Sequence, residues 1–143
     1  VPLMSETIRF HFDVDGENFS SAGEASVMVK KKLRQLGFSP DVMRRVSIAM
    51  YEGEINMVIH AHGGVADVIV GDDAIEIILA DKGPGIPDIE KAMQEGYSTA
   101  SDNIRALGFG AGMGLPNMKR YTDDMKIESV VGVGTTVTMC VNL

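Results

Sequence analysis

Four glycines alternate with other residues directly before a predicted helix, at positions 108, 110, 112 and 114 of the segment GFGAGMGLPNMKR. Each glycine costs up to about 1 kcal/mol of backbone entropy relative to alanine in ordered structure. Alternate glycines allow a ligand to approach the backbone closely, and the start of the following helix presents free N–H groups to an anion. This regular pattern favours a phosphate-binding loop over a flexible hinge.

Two common phosphate-binding loops do not fit this segment. A Walker loop ends in Gly-Lys-Ser/Thr, whereas Gly114 is followed by Leu115 and Pro116. A dinucleotide fingerprint has the spacing Gly-x-Gly-x-x-Gly after the first strand of a βαβ unit. Here the glycines alternate throughout, so a different phosphate site is expected.

Composition sets the class of protein. The chain has 143 residues, of which 45% are hydrophobic and 23% charged, values typical of a soluble globular protein with one domain over residues 1–143. The net charge of −7 argues against a nucleic-acid partner, and no apolar run is long enough to cross a membrane. The single cysteine, Cys140, excludes an internal disulfide, and the first residues lack a secretory signal pattern. We therefore expect a cytoplasmic protein.

Hydrophobic periodicity and turn residues divide the chain into helices and strands. Ser20 or Ser21 is expected to cap the first helix, Pro40 opens the second, and residues 88–114 have the length of a functional lid. Paired hairpins indicate an α+β fold whose sheet is mixed or antiparallel, with helices on one face. The predicted elements are a strand at 7–14, helices to Leu36 and from Pro40 to about His62, strands at 65–70 and 74–81, helices at 88–95 and 115–123, and strands at 125–131 and 134–143.

Polar residues recur along the second helix, which is apolar on nearly every side. Glu52 and Asn56 stand four residues apart on one face, and His60 extends the row by another turn. A buried carboxylate is costly unless it is paired or has a function. Spacing alone slightly favours a plain interpretation, with Glu52 facing solvent and Asn56 a hydrogen-bonded core amide. A ligand-binding row is the alternative.

The strand at 74–81 ends in Asp81, and Gly83 and Gly85 follow it. This pattern is compatible with an ordinary turn, because Asp, Gly and Pro are common turn residues. It also suits an exposed acceptor beside bare backbone, which a flat ligand can approach.

The order of these segments is more informative than any one of them. Glu52–His60, Asp81–Gly85, Gly110–Leu115 and Gly132–Thr136 occur in the order found in the gyrase, chaperone, histidine-kinase and MutL (GHKL) ATPase superfamily, which the chain resembles from about residue 8 to 143. The resemblance implies a two-layer α/β sandwich, the Bergerat ATP-binding fold, with a mixed sheet, helices on one face and an ATP lid. The stretch GMGLPNMKRYTDDMKIESVVGVGTTV is most similar to the stand-alone serine/threonine kinases and anti-sigma factors of bacterial stress and sporulation switches.

The resemblance implies a role for each polar residue of the second helix. Asn56 would bind Mg²⁺ that bridges the ATP phosphates, and Glu52 would be the catalytic base that accepts a proton from the attacking hydroxyl. His60 would lie near phosphate. Asp81 would accept a hydrogen bond from the adenine amino group, helped by Thr135. The remaining implied cofactor-binding residues are Gly83 and Gly85 beside the base, and Gly110, Gly112, Met113, Gly114 and Leu115 around the phosphates.

One position departs from the pattern of this branch. Its kinases carry an arginine just before the glycine loop, where this chain has Gly110, and Arg105 in the expected lid is the candidate substitute.

Two functions follow from the resemblance. The first is an ATP- and Mg²⁺-dependent serine/threonine kinase that transfers the γ-phosphoryl group to a small anti-anti-sigma or scaffold domain, which retention of Glu52 and Asn56 favours. The alternative is a non-catalytic, ATP-gated anti-sigma or regulatory module with a sigma factor as a further candidate partner, which the missing arginine favours. The resemblance also implies a homodimer through the first strand and helix.

Overall fold

The computed structural model describes residues 7–16, 22–93 and 114–143. Within these ranges the chain forms five strands and four helices, close to the predicted bounds. They are β1 (Ile8–Asp15), α1 (Glu24–Gln35), α2 (Pro40–Ala61), β2 (Gly63–Val70), β3 (Ala74–Asp81), α3 (Ile89–Ala92), α4 (Gly114–Arg120), β4 (Asp124–Val130) and β5 (Gly134–Asn142).

The strands form one sheet in the order β1-β2-β3-β5-β4, and every neighbouring pair is antiparallel. The mixed sheet implied by the resemblance is therefore wrong for the described strands, and the antiparallel alternative is the observed one. A parallel βαβ crossover has one helix between its strands, whereas two helices separate β1 from β2. The chain therefore reverses direction one more time, and β2 runs antiparallel to β1. The β3–β5 pairing places Asp81 opposite Thr135.

The core lies between one face of the sheet and the helices. Alternate residues of the strands point toward the helices, as the period of two in a half-buried strand requires. Helix α2 is central, because it packs against α1, α4 and strands β1, β2, β3 and β5. Fully buried side chains in this core include Val29, Leu33, Val46, Met50, Val58, Val68, Ile75, Ile77, Met118, Met139 and Val141. In the described part of the chain, none of the helices has the length and apolar character needed to span a membrane.

Helix α2 has clear local signals at both ends. Ser39 accepts a hydrogen bond from the Val42 N–H at 3.3 Å and so caps the start, with Pro40 as the first helical residue. The end is His62 in the left-handed region, at φ 58°. Within the helix, a side chain at Gly53 would overlap Leu79, so this glycine allows α2 to pack closely onto β3.

The start of α1 is capped by a residue from another helix. Ser20 and Ser21 lie outside the described residues, and the residue before the helix is Gly23, which offers no side-chain cap. The predicted serine cap is therefore wrong. Instead, Glu54 of α2 accepts hydrogen bonds from the backbone N–H groups of Gly23 at 2.9 Å, Ala25 at 3.2 Å and Ser26 at 3.1 Å. These N–H groups have no partner within their own helix, so a carboxylate from α2 satisfies them.

Candidate functional site

Asp81 is held in place by backbone groups from two segments. Its Oδ1 atom accepts hydrogen bonds from the N–H of Gly83 at 2.9 Å and from the N–H of Thr135 at 3.2 Å. The other oxygen, Oδ2, has no hydrogen-bond donor among the described residues. The turn therefore orients a half-buried carboxylate and leaves one acceptor free, which fits a ligand amino group.

The glycines after Asp81 allow this turn to pack closely against its neighbours. A β-carbon at Gly83 would lie 2.5 Å from the β-carbon of Ala61 in α2. Gly85 has φ +80°, and a β-carbon there would lie 2.6 Å from the Val130 carbonyl oxygen. These close approaches are to the protein itself, so the predicted contact of the two glycines with a base stays a prediction.

Ser129 joins the turn to β5, and the sequence patterns did not single it out. Its Oγ accepts a hydrogen bond from the Ile86 N–H at 2.7 Å and lies 2.8 Å from the Thr135 Oγ1 atom. The hydroxyl is also 3.3 Å from the Gly134 carbonyl oxygen. The sequence did contain one signal for Ser129. Met125 and Ile127 lie on the row of β4 that packs toward the core, and Ser129 is a polar residue at the next position of that row, where an apolar residue is usual.

Glu52 lies half-buried on α2, close to α4. Asn117 of α4 donates a hydrogen bond from Nδ2 to Glu52 Oε1 at 3.4 Å. Burial raises the pKa of the Glu52 carboxyl above its ordinary 4.5, and the hydrogen bond from Asn117 lowers it in part. A carboxylate with a raised pKa is a stronger base, so its environment suits proton transfer. Asn117 was not predicted, and its sequence signal is only a polar residue in the first turns of a short helix.

Asn56 lies one turn further along α2 and contacts the start of α4. A β-carbon at Gly114 would lie 2.7 Å from the Asn56 Nδ2 atom and 2.8 Å from Oδ1. The Nδ2 group is 3.9 Å from the Met118 sulfur, whereas Oδ1 accepts no hydrogen bond from the described residues. Within the described part of the chain, Asn56 is thus half-buried with an amide oxygen that accepts no hydrogen bond, and such an oxygen fits a hard cation such as Mg²⁺.

A magnesium ion at this place would need few protein ligands. The described residues contain no group of three or more His, Cys, Asp or Glu side chains suited to a metal ion. Mg²⁺ keeps several waters and commonly uses one or two protein ligands together with substrate phosphates. A single amide oxygen is therefore compatible with the predicted role of Asn56.

His60 lies close enough to Asp81 for the aspartate charge to affect the pKa of its imidazole. Burial lowers the pKa of the His60 imidazole, and the negative charge of Asp81 opposes that shift. The row Glu52–Asn56–His60 thus runs from the contact with α4 toward Asp81. The predicted place of His60 near phosphate stays a prediction.

The expected glycine loop is described only at its end. Arg105, Gly110, Gly112 and Met113 lie outside the described residues. Gly114 begins α4, whereas the Leu115 side chain is 8% exposed and belongs to the core. The predicted role of Leu115 at a ligand would therefore fall to its backbone, and it stays a prediction.

Comparison with known proteins decides the family. A family model described as the histidine kinase-like ATPase domain matches residues 19–141. The chain belongs to this family. This membership confirms the GHKL resemblance, and with it the α+β fold class. Residues 19–141 include every candidate site residue of this histidine kinase-like ATPase domain.

Several curated proteins are similar over most of the domain. The serine/threonine-protein kinase RsbT of Bacillus subtilis is 37% identical over 110 residues, which are 73% of this chain and 75% of the relative. The anti-sigma F factor of Clostridium acetobutylicum is 35% identical over 142 residues, 96% of this chain and 94% of the relative. That of Geobacillus stearothermophilus is 31% identical over 140 residues, 94% of this chain and 90% of the relative.

Two solved structures share the fold at low sequence identity. One contains the RsbU and RsbW domains of a Mycobacterium tuberculosis protein; its TM-score is 0.65 at 16% identity, over 94% of this chain and 32% of that one. The other is the mycobacterial sensor histidine kinase MprB, with a TM-score of 0.54 at 15% identity, over 94% of this chain and 97% of that one. At these identities the likeness concerns the fold alone.

Proposed function

We propose that this histidine kinase-like ATPase domain binds ATP with Mg²⁺ and transfers the γ-phosphoryl group to a serine or threonine of a small partner domain. Family membership and the relative named a serine/threonine-protein kinase support this activity. The partner class, an anti-anti-sigma-type or scaffold domain, and a cytoplasmic location are parts of the same proposal.

Each site residue has a stated task in this proposal. The free oxygen of Asp81 accepts a hydrogen bond from the adenine amino group, and Thr135 lies beside it. The amide oxygen of Asn56 holds the metal ion, and Glu52 accepts the proton of the attacking hydroxyl. Bound Mg²⁺ supplies charge neutralisation at the phosphates, and positioning provides most of the remaining catalysis. Gly110, Gly112 and Gly114 line the phosphates, with Arg105 as the lid cation.

The environment of Glu52 is the observation that carries the kinase proposal. A module that only binds a nucleotide has no need for a base, whereas this carboxyl group is half-buried, has a raised pKa and receives a hydrogen bond from Asn117. Asn56 follows one turn later on the same helix, so a proton acceptor and a metal ligand occupy one face of α2.

Phosphotransfer to a candidate partner domain tests the proposal. With ATP and Mg²⁺ we expect phosphoserine or phosphothreonine on the partner, detected by its gain in mass. Glu52→Gln should abolish this product and leave nucleotide affinity nearly unchanged. Glu128→Gln, on an exposed side chain of β4, is the matched control and should retain activity. A partner that binds in the presence of ATP and never gains mass would contradict the kinase proposal.

An ATP-gated regulatory module is the second candidate function. Two observations favour it: the relatives named anti-sigma F factor match nearly the whole chain, and Gly110 occupies the place where the kinase branch has an arginine. Under this alternative the affinity for a partner, including a sigma factor, depends on ATP, and no phosphate is transferred.

A homodimer through the first strand and helix is also proposed. Strand β1 is an edge of the sheet, and α1 exposes Val27 at 67% and Met28 at 43%. Exposed apolar side chains beside an unpaired strand edge are typical of an association surface. Analytical ultracentrifugation of the native chain and of Val27→Glu checks this, since the variant should shift the species toward monomer.

A further inference from the structure

Ser129 occupies a position between two parts of the proposed nucleotide site. Its hydroxyl contacts the Ile86 N–H on the segment after Asp81, and it contacts the Thr135 hydroxyl on β5. Thr135 in turn donates its backbone N–H to Asp81 Oδ1 at 3.2 Å. A chain of hydrogen bonds therefore connects Ser129, Thr135 and Asp81.

Counting protons leaves two possible directions for the Ser129–Thr135 bond, and the distances favour one of them. A serine hydroxyl has one proton to donate and two lone pairs that accept. The Ile86 N–H can only donate, so it occupies one lone pair of Ser129 at 2.7 Å. The serine proton then goes either to Thr135 Oγ1 at 2.8 Å or to the Gly134 carbonyl oxygen at 3.3 Å, and in the second arrangement Thr135 donates to Ser129. Hydroxyl hydrogen bonds are commonly 2.5–3.0 Å long, so the Thr135 oxygen is the favoured acceptor.

This assignment leaves the Thr135 proton available for another partner. When Ser129 donates to Thr135, the threonine hydroxyl accepts there and keeps its own hydrogen. Among the described residues, Thr135 Oγ1 has no hydrogen-bond partner other than Ser129. The site thus presents a donor, the Thr135 hydroxyl, near an acceptor, the free Oδ2 atom of Asp81.

A donor beside an acceptor distinguishes the two purines. The edge of adenine carries the amino group N6 as a donor next to the N1 atom as an acceptor, whereas guanine carries O6 as an acceptor next to the N1–H donor. We propose that Ser129 fixes the direction of the Thr135 hydrogen bond and thereby contributes to a preference for adenine over guanine. This inference rests on the proposed ATP site; Ser129 acts through Thr135 and is a positioning residue.

Calorimetric affinities for ATP and GTP test the inference. Ser129→Ala should weaken ATP binding by about tenfold, the factor of one hydrogen bond, and should reduce the ratio of ATP to GTP affinity by a similar factor. Ser129→Thr keeps a hydroxyl and should restore the native ratio. Thr135→Val removes the terminal donor, and in that background Ser129→Ala should change the ratio no further.

An ATP analogue isolates the proposed contact. In 1-deaza-ATP a C–H group replaces the N1 acceptor, so the native chain and Ser129→Ala should bind it equally well. If Ser129→Ala weakens ATP and GTP by the same factor, Ser129 only supports the segment at Ile86 and the inference is wrong. Failure of the proposed function is a separate result: the native chain would then bind no adenine nucleotide at millimolar concentration.

Discussion

A β-carbon on Gly114 would come within 2.7 Å of the Asn56 side-chain amide, so the first residue of α4 touches the expected magnesium ligand. The end of the alternating glycine run is therefore packed against the helix that carries Glu52 and Asn56. A β-carbon in this position would therefore require the Asn56 side chain to shift.

Gly114→Ala should weaken binding of Mg²⁺-ATP by about tenfold, because the added methyl group displaces the Asn56 amide. The free energy of unfolding should stay the same or rise by up to about 1 kcal/mol, since alanine favours a helix over glycine. Calorimetry measures the affinity for Mg²⁺-ATP, and urea unfolding measures the free energy of unfolding. A lower affinity without a loss of stability would show that the variant affects binding and not folding.

Gly71→Ala is the matched control for that variant. A β-carbon at Gly71 would lie 3.4 Å from the Ala74 carbonyl oxygen, an ordinary contact in the turn between β2 and β3. Nucleotide affinity should not change. Unaltered binding in Gly114→Ala as well would mean that the contact with Asn56 does not position a ligand.

Asp81→Asn should weaken ATP binding by more than about 1 kcal/mol, the scale of a hydrogen bond to a charged group. The asparagine oxygen can still accept the bonds from Gly83 and Thr135, so the turn should persist. The amide nitrogen replaces Oδ2 and presents a donor where adenine needs an acceptor. Isothermal titration with ATP measures the loss, and an unchanged affinity would remove Asp81 from the site.

Glu54→Ala should lower the free energy of unfolding by about 3 kcal/mol, because it leaves three backbone N–H groups at the start of α1 without their acceptor. The side chain is only 2% exposed, so water cannot replace it without rearrangement. Urea denaturation measures this change. Glu24→Ala is the control, because Glu24 is an exposed residue in the first turn of α1. An equal effect of both variants on the free energy of unfolding would contradict a capping role for Glu54.

The acidic limb of the pH–rate profile should lie above the ordinary glutamate pKa of 4.5, since burial raises the pKa of Glu52. Activity is lost as the pH falls through this pKa, because a protonated carboxyl cannot accept the hydroxyl proton. Asn117→Ala removes the hydrogen bond that lowers the pKa, so the limb should move to still higher pH. Initial rates over a pH series measure the shift. A limb at the same pH in both proteins would show that Glu52 does not set it.

Local patterns predicted most elements because their signals lie within a few residues. The cap at Ser39, the proline at position 40 and the alternation in β3 all act over one or two turns of chain. The start of α1 was the failure. Its cap, Glu54, comes from 31 residues further along the chain than Gly23, and no local pattern contains that relationship.

The sequence by itself determined the order of the elements and the family, through the spacing of Glu52, Asn56 and Asp81 and through the glycine segments. Only the tertiary structure decided that Ser129 joins Thr135 and the Asp81 turn, and that Asn117 meets Glu52. The pairing of β3 with β5 and the packing of α4 on α2 create these contacts. Some of these contacts join residues more than 50 positions apart, and one joins hydroxyl groups on neighbouring strands. The physical reason is that the distances between such groups depend on how the whole sheet is assembled, whereas periodicity describes only one segment.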